Sequence, residues 1–298
     1  MEAPKFSIII PAYNRENFIL DTINSVLSQT YSSFELVIVD DGSTDQTSLV
    51  VSKIEDPRVR YFYIQNSERG AARNYGIAQS EGSHLLFLDS DDFLLPDCLY
   101  NYSIMIAQNT DFDCFAMNYY FLQSNGVKVE SDVRKINKTS IDYIDFLNGN
   151  YLACNFCFER TSIKYLFQES RTLSAMEDWI FLIQNLRHQS MYLSKTPALF
   201  MNDHEGRSMR ANHWNIVEKV SNFLAFFESQ QSLSKKEYFK LTLTGNYLRS
   251  IHAYLCAERG LAIHYSLKGL MMSGQPRFLM MLVKALIGHS LVNKLFGK

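Results

Sequence analysis

Three carboxylates stand within four positions of the chain, at Asp89, Asp91 and Asp92, with Ser90 between the first two. They directly follow an apolar run at residues 84–88 that is typical of a buried strand, so we expect them at the carboxyl edge of a sheet. Crowded carboxylates repel one another unless a cation neutralises them, and Mg²⁺ or Mn²⁺ commonly joins such oxygens to substrate phosphates. The spacing therefore predicts a metal–diphosphate site, whereas an isolated acidic loop is more often solvated surface.

Two further polar clusters follow the first two predicted strands. They are Pro11-Ala12-Tyr13-Asn14 and Asp40-Asp41-Gly42-Ser43. At this edge, where α/β folds bind ligands, carboxylates can accept hydrogen bonds from a base or ribose, and Tyr13 can stack on a planar ring. The second cluster is also typical of a turn that caps a helix. Neither contains a GxGxxG loop, so a dinucleotide dehydrogenase or a P-loop phosphotransferase would have no phosphate-binding segment here.

The elements that position these clusters alternate between strand and helix patterns. Strands are predicted at residues 6–10, 34–39, 59–64 and 84–88, and helices at residues 16–29, 44–54 and 71–80. This alternation indicates a parallel sheet with helices on its faces. A helix from Pro96 to about Gln108 and an aromatic-rich strand at residues 112–122 follow, and Asn125-Gly126 predicts a hairpin turn. The second half therefore adds an antiparallel or mixed extension, and the chain from His213 onward has a mostly helical pattern.

The composition limits the class of protein. The chain has 298 residues, of which 47% are hydrophobic and 20% are charged, so it can bury a sizeable core. A formal net charge of -2 gives no chain-wide basic field, and we expect no nucleic-acid partner. Of five cysteines, only Cys154 and Cys157 form a CxxC, which we interpret as buried free thiols. We see neither the apolar region of a signal peptide nor a membrane span, so we expect a cytoplasmic protein.

Four separated segments together resemble the family 2 glycosyltransferases, inverting enzymes of the GT-A fold that use nucleoside-diphosphate sugars. The similar segments lie at residues 6–14, 37–45, 69–76 and 87–92. The resemblance implies an α/β class, with a Rossmann-like mixed sheet flanked by helices and a helical C-terminal extension. It implies a nucleotide-sugar-binding half at residues 1–108, an acceptor-binding half at residues 109–211 and a helical region at residues 212–298.

The resemblance also implies roles for individual residues. Tyr13 and Asp41 would hold the uracil, and Arg73 would help to bind the nucleotide. Asp89 would contact the ribose or the sugar, and Asp91 would ligate Mn²⁺ or Mg²⁺ with Asp92 beside it. The implied nucleotide-sugar contacts are Pro11, Ala12, Tyr13, Asn14, Glu16, Asp41, Arg73, Asp89, Ser90 and Arg207.

A later segment at residues 204–208 is similar to the loop that folds over the donor diphosphate in this family. His204 would contact the diphosphate or the metal, although a lone histidine is otherwise usually structural or solvated. Residues 202–203 are Asn and Asp, where the family often has Arg or Tyr. Arg207 and Arg210 are alternative phosphate ligands.

The segment at residues 174–179 resembles the acidic-pair motif that precedes a helix in this family. Acids in a first helical turn are also favourable in their own right. Displacing a diphosphate with inversion requires a base that takes the proton of the acceptor hydroxyl, on the side opposite the leaving group. We predict Asp178 as this base and Glu177 as the residue that orients the acceptor or supports Asp178, because a neighbouring carboxylate would raise the pKa of the base.

After Glu258 the chain contains six cations and no carboxylate. On a helix, Arg277, Lys284, Lys294 and Lys298 fall on one arc with apolar residues elsewhere, which describes a basic amphipathic helix. Such a helix either packs on the protein with a solvated charged face or lies on an anionic membrane. Many members of the resembled family act on polyprenyl-linked acceptors at that surface. We therefore expect a peripheral protein on the inner face of the cell membrane.

The expected function is metal-dependent, inverting transfer of a hexose or N-acetylhexosamine from a UDP-sugar to a saccharide hydroxyl, in bacterial surface polysaccharide or glycan assembly. The acceptor could be linked to a polyprenyl diphosphate. One alternative is a sugar nucleotidyltransferase, although residues 11–14 lack the Gly-rich, basic triphosphate loop that such an enzyme needs. Another is a catalytically silent relative that serves as a membrane assembly partner. The presence of Asp91 and Asp178 favours an active enzyme.

Overall fold

The computed structural model describes residues 5–152, 154–204 and 213–288. The chain forms two compact units. The first, called here the sheet unit, comprises Met1–Phe146 and Asn150–His204, and the second, called the helical unit, comprises Leu147–Gly149 and Glu205–Lys298. Among the helices in the described ranges, none is both long enough and apolar enough to cross a membrane.

One ten-stranded sheet forms the centre of the sheet unit. Its strands are β1 Phe6–Ala12, β2 Phe34–Asp40, β3 Val59–Tyr63, β4 His84–Phe87, β5 Phe93–Leu94, β6 Cys114–Gln123, β7 Lys128–Glu130, β8 Ser140–Ile141, β9 Phe156–Glu159 and β10 Met191–Asp203. Their order is β3-β2-β1-β4-β9-β6-β10-β5, with β7 paired to β6 and β8 paired to β10.

The first four strands in this order are parallel, as the alternation of strand and helix patterns predicts. All seven residues of β1 and all seven of β2 are buried, which is expected for strands covered on both faces. In the register, Ala12 pairs with Asp40 and Ile9 pairs with Phe87. The chain therefore leaves β1, β2 and β4 at the same edge of the sheet, and the loops that follow these strands meet there.

Beyond β4 the sheet becomes mixed. β9 runs antiparallel to both β4 and β6, whereas β10 runs parallel to β6. The hairpin predicted at Asn125-Gly126 is confirmed, because β6 and β7 pair antiparallel around a turn in which Gly126 has a φ of +79°. Glycine adopts this conformation without the steric cost that a side chain would bring. The predicted mixed sheet and C-terminal helices are thus confirmed.

Helices accompany the sheet and form the described core of the helical unit. In the sheet unit they are α1 Ile19–Leu27, α2 Thr47–Val51, α3 Glu68–Gln79, α4 Cys98–Gln108, α5 Tyr143–Phe146 and α6 Glu177–Asn185. In the helical unit they are α7 His213–Gln230, α8 Lys235–Leu255, α9 Arg259–Ser273 and α10 Pro276–Ile287. The side chain of Ser234 accepts a hydrogen bond from the N–H of Glu237, whose carboxylate accepts one from the N–H of Ser234, and this capping box starts α8.

The helix predicted at residues 44–54 is wrong in its extent, since α2 covers only Thr47–Val51. The N–H of Thr44 donates to Asn14 Oδ1 at 2.8 Å, and the N–H of Thr47 donates to Asp45 Oδ1 at 3.0 Å. Short polar side chains that bond to nearby backbone compete with helix formation. These residues therefore build the loop before α2. The helices predicted to start at residues 16 and 96 also begin two or three residues later, as α1 and α4.

α3 packs against the segment at residues 167–169 with almost no space between them. A Cβ atom added at Gly70 would lie 2.1 Å from the carbonyl oxygen of Gln168. Asn74 donates to the carbonyl oxygen of Phe167 at 2.9 Å and accepts from the N–H of Phe167 at 2.9 Å. The small residue at 70 and the paired bonds of Asn74 hold α3 in one position, which determines where Arg73 can reach.

Candidate active site

The loops that follow β1 and β2 are bonded to each other. Asn14 has a φ of +51°, and its N–H donates to Ser43 Oγ at 2.9 Å. Glu16 adds a second link, because its Oε2 accepts from the N–H of Gln46 at 2.8 Å. A non-glycine residue at positive φ is energetically costly, and such residues cluster at functional sites. The two loops thus form one connected rim at the carboxyl edge of the sheet, called here the loop rim.

Tyr13 and Asp41 lie on the loop rim. Tyr13 is 46% exposed, so its ring is open to a stacking partner. Asp41 is buried, its Oδ1 accepts from the N–H of Ser67 at 2.7 Å, and burial raises the pKa of its carboxyl above the ordinary value. Pro11 and Ala12 are buried at the end of β1. Their nucleotide contacts, like that of Glu16, stay predictions.

The predicted metal ligands converge. One carboxylate oxygen from each of Asp89, Asp91 and Asp92 lies within 4.8 Å of the others. His204 Nε2 lies 2.9 Å from Asp91 Oδ2, and the histidine ring stacks on Phe18 with ring centroids 4.5 Å apart. Three carboxylates beside an imidazole form a donor set that suits Mn²⁺ or Mg²⁺. The residues present therefore fit the metal that the sequence predicts.

Two hydrogen bonds connect this acidic segment to other elements, one through its backbone and one through a side chain. The hydroxyl of Thr22 donates to the carbonyl oxygen of Ser90 at 3.1 Å, and the N–H of Asn202 donates to Asp92 Oδ1 at 3.0 Å. Ser90 and Asp92 are both buried. One oxygen of Asp92 is thus used within the protein, and the sugar contact expected of Ser90 stays a prediction.

Arg73 links the two acidic clusters of the site. Its guanidinium is buried, with Nη2 2.8 Å from Asp89 Oδ1 and Nη1 2.8 Å from Glu177 Oε1. The resemblance implies that this side chain helps to bind the nucleotide, but both of its terminal nitrogens donate to carboxylates of the protein. The structure therefore gives Arg73 a bridging position, between partners that lie 16 and 104 residues away along the chain.

Glu177 and Asp178 begin α6, and Glu177 is buried against Arg73. Asp178 Oδ2 accepts from Asn150 Nδ2 at 3.0 Å, and its Oδ1 accepts from the N–H of Trp179 at 2.8 Å. Burial and then the adjacent Glu177 carboxylate raise the pKa of Asp178 to about 7, against the opposing effect of the Arg73 cation. A carboxylate with this pKa can accept a proton near neutral pH.

Asn150 is a site residue that the sequence reasoning missed. Besides donating to Asp178, its Oδ1 accepts from the N–H of Leu152 at 3.1 Å, which fixes the orientation of the amide. The chain turns just before Asn150 and just before α6, where Gly149 has a φ of +141° and Ala175 has a φ of +70°. A lone asparagine in a loop matches no motif, and the preceding glycine is the only signal of a turn. Arg207 and Arg210, the predicted phosphate ligands, lie outside the described residues.

A mixed α/β sheet with acidic loops at the edge of its parallel half is the architecture of the GT-A glycosyltransferases. The chain belongs to glycosyltransferase family 2, because the family model described as "Glycosyl transferase family 2" matches residues 7–167, more than half of its length. The resemblance noted in the sequence is confirmed, and the protein is a glycosyltransferase.

Individual relatives agree with this assignment. An uncharacterized glycosyltransferase from Haemophilus influenzae is 35% identical over 67% of this chain and 80% of its own length. The Campylobacter jejuni GalNAc(5)-diNAcBac-PP-undecaprenol beta-1,3-glucosyltransferase is 25% identical over 98% of this chain and 96% of its own length. Other relatives are longer, and the match spans 21% of an uncharacterized glycosyltransferase from Rickettsia felis, with 40% identity over 43% of this chain.

Among solved structures, Staphylococcus aureus TarS 1-349 in complex with UDP-GlcNAc has a similar fold. The TM-score is 0.65 with 21% sequence identity, and the match covers 97% of this chain and 81% of the TarS chain. At this identity the likeness concerns the fold.

The buried bridge can be tested by its effect on stability. Replacing Arg73 with Met leaves Asp89 and Glu177 without their shared cation, and removing one partner of a buried ion pair costs about 3–5 kcal/mol. We expect the free energy of unfolding in urea to fall by about that amount. Arg134→Met is the control, because the Arg134–Glu130 pair is 53% and 33% exposed and such exposed pairs contribute less than about 1 kcal/mol. Equally small losses in both variants would contradict the bridge.

Proposed function

We propose that the protein catalyses metal-dependent, inverting transfer of a hexose or N-acetylhexosamine from a UDP-sugar to a saccharide hydroxyl, in the assembly of a bacterial surface polysaccharide or glycan. The observation that carries this proposal is the Arg73 bridge, which connects Asp89 of the acidic cluster to the Glu177–Asp178 pair. Metal-binding and proton-accepting groups then belong to one connected site. We also propose that residues 1–108 bind the donor and residues 109–211 contribute to acceptor binding.

The relatives support the two substrate classes. The similar TarS structure is a complex with UDP-GlcNAc, and the Campylobacter jejuni relative is named for a PP-undecaprenol-linked glycan. A UDP-sugar donor and a polyprenyl-diphosphate-linked saccharide acceptor are therefore the substrates that we propose for this chain. On the donor side, the exposed ring of Tyr13 is suited to stacking on the uracil, with Asp41 beside it on the loop rim.

In the proposed reaction the acceptor hydroxyl gives its proton to the Asp178 carboxylate while its oxygen attacks the anomeric carbon of the sugar. The new carbon–oxygen bond forms on the face opposite the diphosphate. The bond from the anomeric carbon to the diphosphate oxygen breaks, and UDP leaves with that electron pair. Asn150 holds Asp178 in one orientation, and Arg73 holds Glu177, so the proton acceptor is fixed before the substrate arrives.

Asp91 would hold Mn²⁺ or Mg²⁺, with Asp89 and His204 close enough to contribute. When bound, the ion would neutralise the negative charge that builds up on the departing diphosphate. The side chains of the acidic cluster supply hard oxygen ligands, which such ions prefer.

The metal proposal is tested by removing either the ion or its ligand. EDTA should abolish sugar transfer, and added Mn²⁺ or Mg²⁺ should restore it. Asp91→Asn keeps the side-chain shape but removes a charge, so calorimetry should show metal-dependent UDP binding weakened by at least about 10-fold. Asp56→Asn is the control, because Asp56 pairs with Arg58 before β3, at the opposite edge of the sheet. Full transfer in EDTA would refute metal dependence.

The base proposal is tested by Asp178→Asn, which keeps the shape and removes proton acceptance. Turnover at saturating donor should fall by at least about 10²-fold, while UDP affinity changes little. A general base must be deprotonated, and the pKa of Asp178 is raised to about 7. Wild-type turnover should therefore fall as the pH decreases below about 7, measured by initial rates across that range.

The Asp56→Asn variant again serves as the control and should keep both the turnover and the pH dependence of the wild type. If turnover survives in Asp178→Asn, the proton acceptor is another group, and Glu177 becomes the candidate. If the wild-type protein binds UDP-sugar but neither hydrolyses nor transfers the sugar, the chain is a silent member of its family.

We further propose that the helical unit lies on an anionic membrane at the cytoplasmic face of the cell. α10 packs within this unit through one face, where Phe278, Met281 and Ala285 are buried. A second apolar face remains accessible, with Leu279 52% and Val283 46% exposed. In this proposal, the two alternatives that the sequence left open, packing and membrane binding, are assigned to different faces of the same helix.

Charge favours lipid as the partner of this second face. The described cations after Glu258 are Arg259, Lys268, Arg277 and Lys284, and the sequence contains no carboxylate there. Anionic headgroups attract such cations while exposed apolar side chains enter the interface. Lys294 and Lys298, which the sequence places on the same arc, lie outside the described residues.

Membrane binding can be measured by sedimentation with phosphatidylglycerol vesicles. We expect the full chain to sediment with them, and high salt to weaken the binding by screening its cations. The double variant Leu279→Ser, Val283→Ser should bind several-fold less, because it removes apolar area from the exposed face. Leu49→Ser, at a residue of α2 that is 50% exposed, is the control and should bind as the wild type does. Equal vesicle binding by the double variant and the wild type would refute this orientation.

A further inference from the structure

Arg15 lies in the loop rim, between Asn14 and Glu16, and its backbone is hydrogen-bonded through both its N–H and its carbonyl group. Its N–H donates to Thr47 Oγ1 at 2.8 Å. Its carbonyl oxygen accepts from the N–H groups of Phe18 and Ile19, each at 2.9 Å. The side chain therefore starts from a defined point at the carboxyl edge of the sheet, in the same loop system as Tyr13.

The guanidinium of Arg15 is poorly satisfied by the protein. Within the part of the chain that the structure describes, its one hydrogen bond is from Nη1 to the carbonyl oxygen of Asn14, at a long 3.3 Å. Nη2 lies 3.7 Å from Asp91 Oδ2, which is beyond hydrogen-bonding distance, and Nε is buried without a partner. A guanidinium has five N–H donors, and a buried donor without an acceptor is costly. This arrangement indicates that an acceptor from outside the chain completes the site.

Other arginines near the site are already engaged. Arg73 donates to two carboxylates, and Arg171 donates to Asn66 Oδ1 at 2.7 Å and lies 3.6 Å from Glu68. Arg15 differs from both because the nearest carboxylate oxygen, on the predicted metal ligand Asp91, lies 3.7 Å from its Nη2, and its one hydrogen bond within the described residues is the long one to Asn14. A planar guanidinium with free N–H groups matches the oxygens of phosphate in pairs, and such charge-assisted bonds are the strong ones.

We infer that Arg15 binds the diphosphate of the nucleotide donor, donating from its free N–H groups to diphosphate oxygens next to Asp91. The inference rests on the proposed function and extends it by naming a leaving-group ligand within the described residues. It also explains why the ion pair with Asp91 is a loose one: at 3.7 Å the guanidinium offsets part of the charge of that carboxylate while it keeps donors for a second anion.

The test compares ligands with and without the diphosphate. Calorimetry would measure the binding of UDP and of uridine in the presence of Mn²⁺ to the wild-type chain and to Arg15→Ala. We expect UDP affinity to fall by about 10-fold or more, the range for losing bonds to a charged group, while uridine affinity is unchanged. Arg58→Ala is the matched control, an arginine paired with Asp56 at the opposite edge, and it should bind UDP as the wild type does. Thermal melting checks that each variant is folded.

Unchanged UDP affinity in folded Arg15→Ala would overturn the inference and leave Arg15 as a neighbour that merely offsets the charge of Asp91. An equal loss for uridine and UDP would overturn it as well, because the defect would then lie in the loop and not in phosphate binding. If Arg15→Ala does not fold, Arg15→Gln, which retains polar groups but no charge, is judged by the same criteria.

Failure of the proposed donor gives a different result. If the wild-type chain does not bind UDP, the UDP-sugar assignment is wrong, and Mg²⁺ with inorganic pyrophosphate becomes the probe. Weaker pyrophosphate binding by Arg15→Ala than by the wild type would still support the inference, and equal binding by the two would overturn it.

Discussion

A buried cation needs negative charge beside it, and much of the sheet unit is arranged around this requirement at the guanidinium of Arg73. Its two carboxylate partners come from elements that are remote in the chain, since Asp89 follows β4 and Glu177 begins α6. The cation lies on α3, which can occupy its position because Gly70 has no side chain to meet Gln168. Loss of Arg73, Asp89 or Glu177 would leave a charged partner without its counterion. Such a loss costs far more than the ion pair contributes when it is intact.

Arg73 pairs with Glu177 but not with Asp91, so these two carboxylates have different surroundings. Glu177 is buried and compensated by Arg73, so its main effect on Asp178 is repulsion at close range, which together with burial favours the protonated form. Asp91 has other partners, a nitrogen of His204 at 2.9 Å and the guanidinium of Arg15 at 3.7 Å. Glu177 is therefore compensated from within the protein, while the cluster that contains Asp91 is the one proposed to bind the metal.

The parts of this arrangement that were predictable from the sequence are the local ones. Each apolar strand ends abruptly in polar residues, so the loop rim and the carboxylates after β4 could be assigned to one edge, and Asn125-Gly126 identified its hairpin. The bond between Arg73 and Glu177 joins residues 104 positions apart, and no spacing rule connects them. The length of α2 depended on Asn14, a residue from another loop. Helical periodicity detected α10, but it could not tell which of two apolar faces would be buried.

The short segment Leu147–Gly149 belongs to the helical unit although the chain on both sides belongs to the sheet unit. Thr244 of α8 donates its hydroxyl hydrogen to the carbonyl oxygen of Leu147 at 2.8 Å, and the next residue after this segment is Asn150, which holds Asp178. For protein engineering, this connectivity means that the helices after residue 212 are not an appendage that can be trimmed. Cutting the chain there would remove the partner of Leu147, three residues before the amide that donates to Asp178. A shortened protein would need this segment redesigned as well.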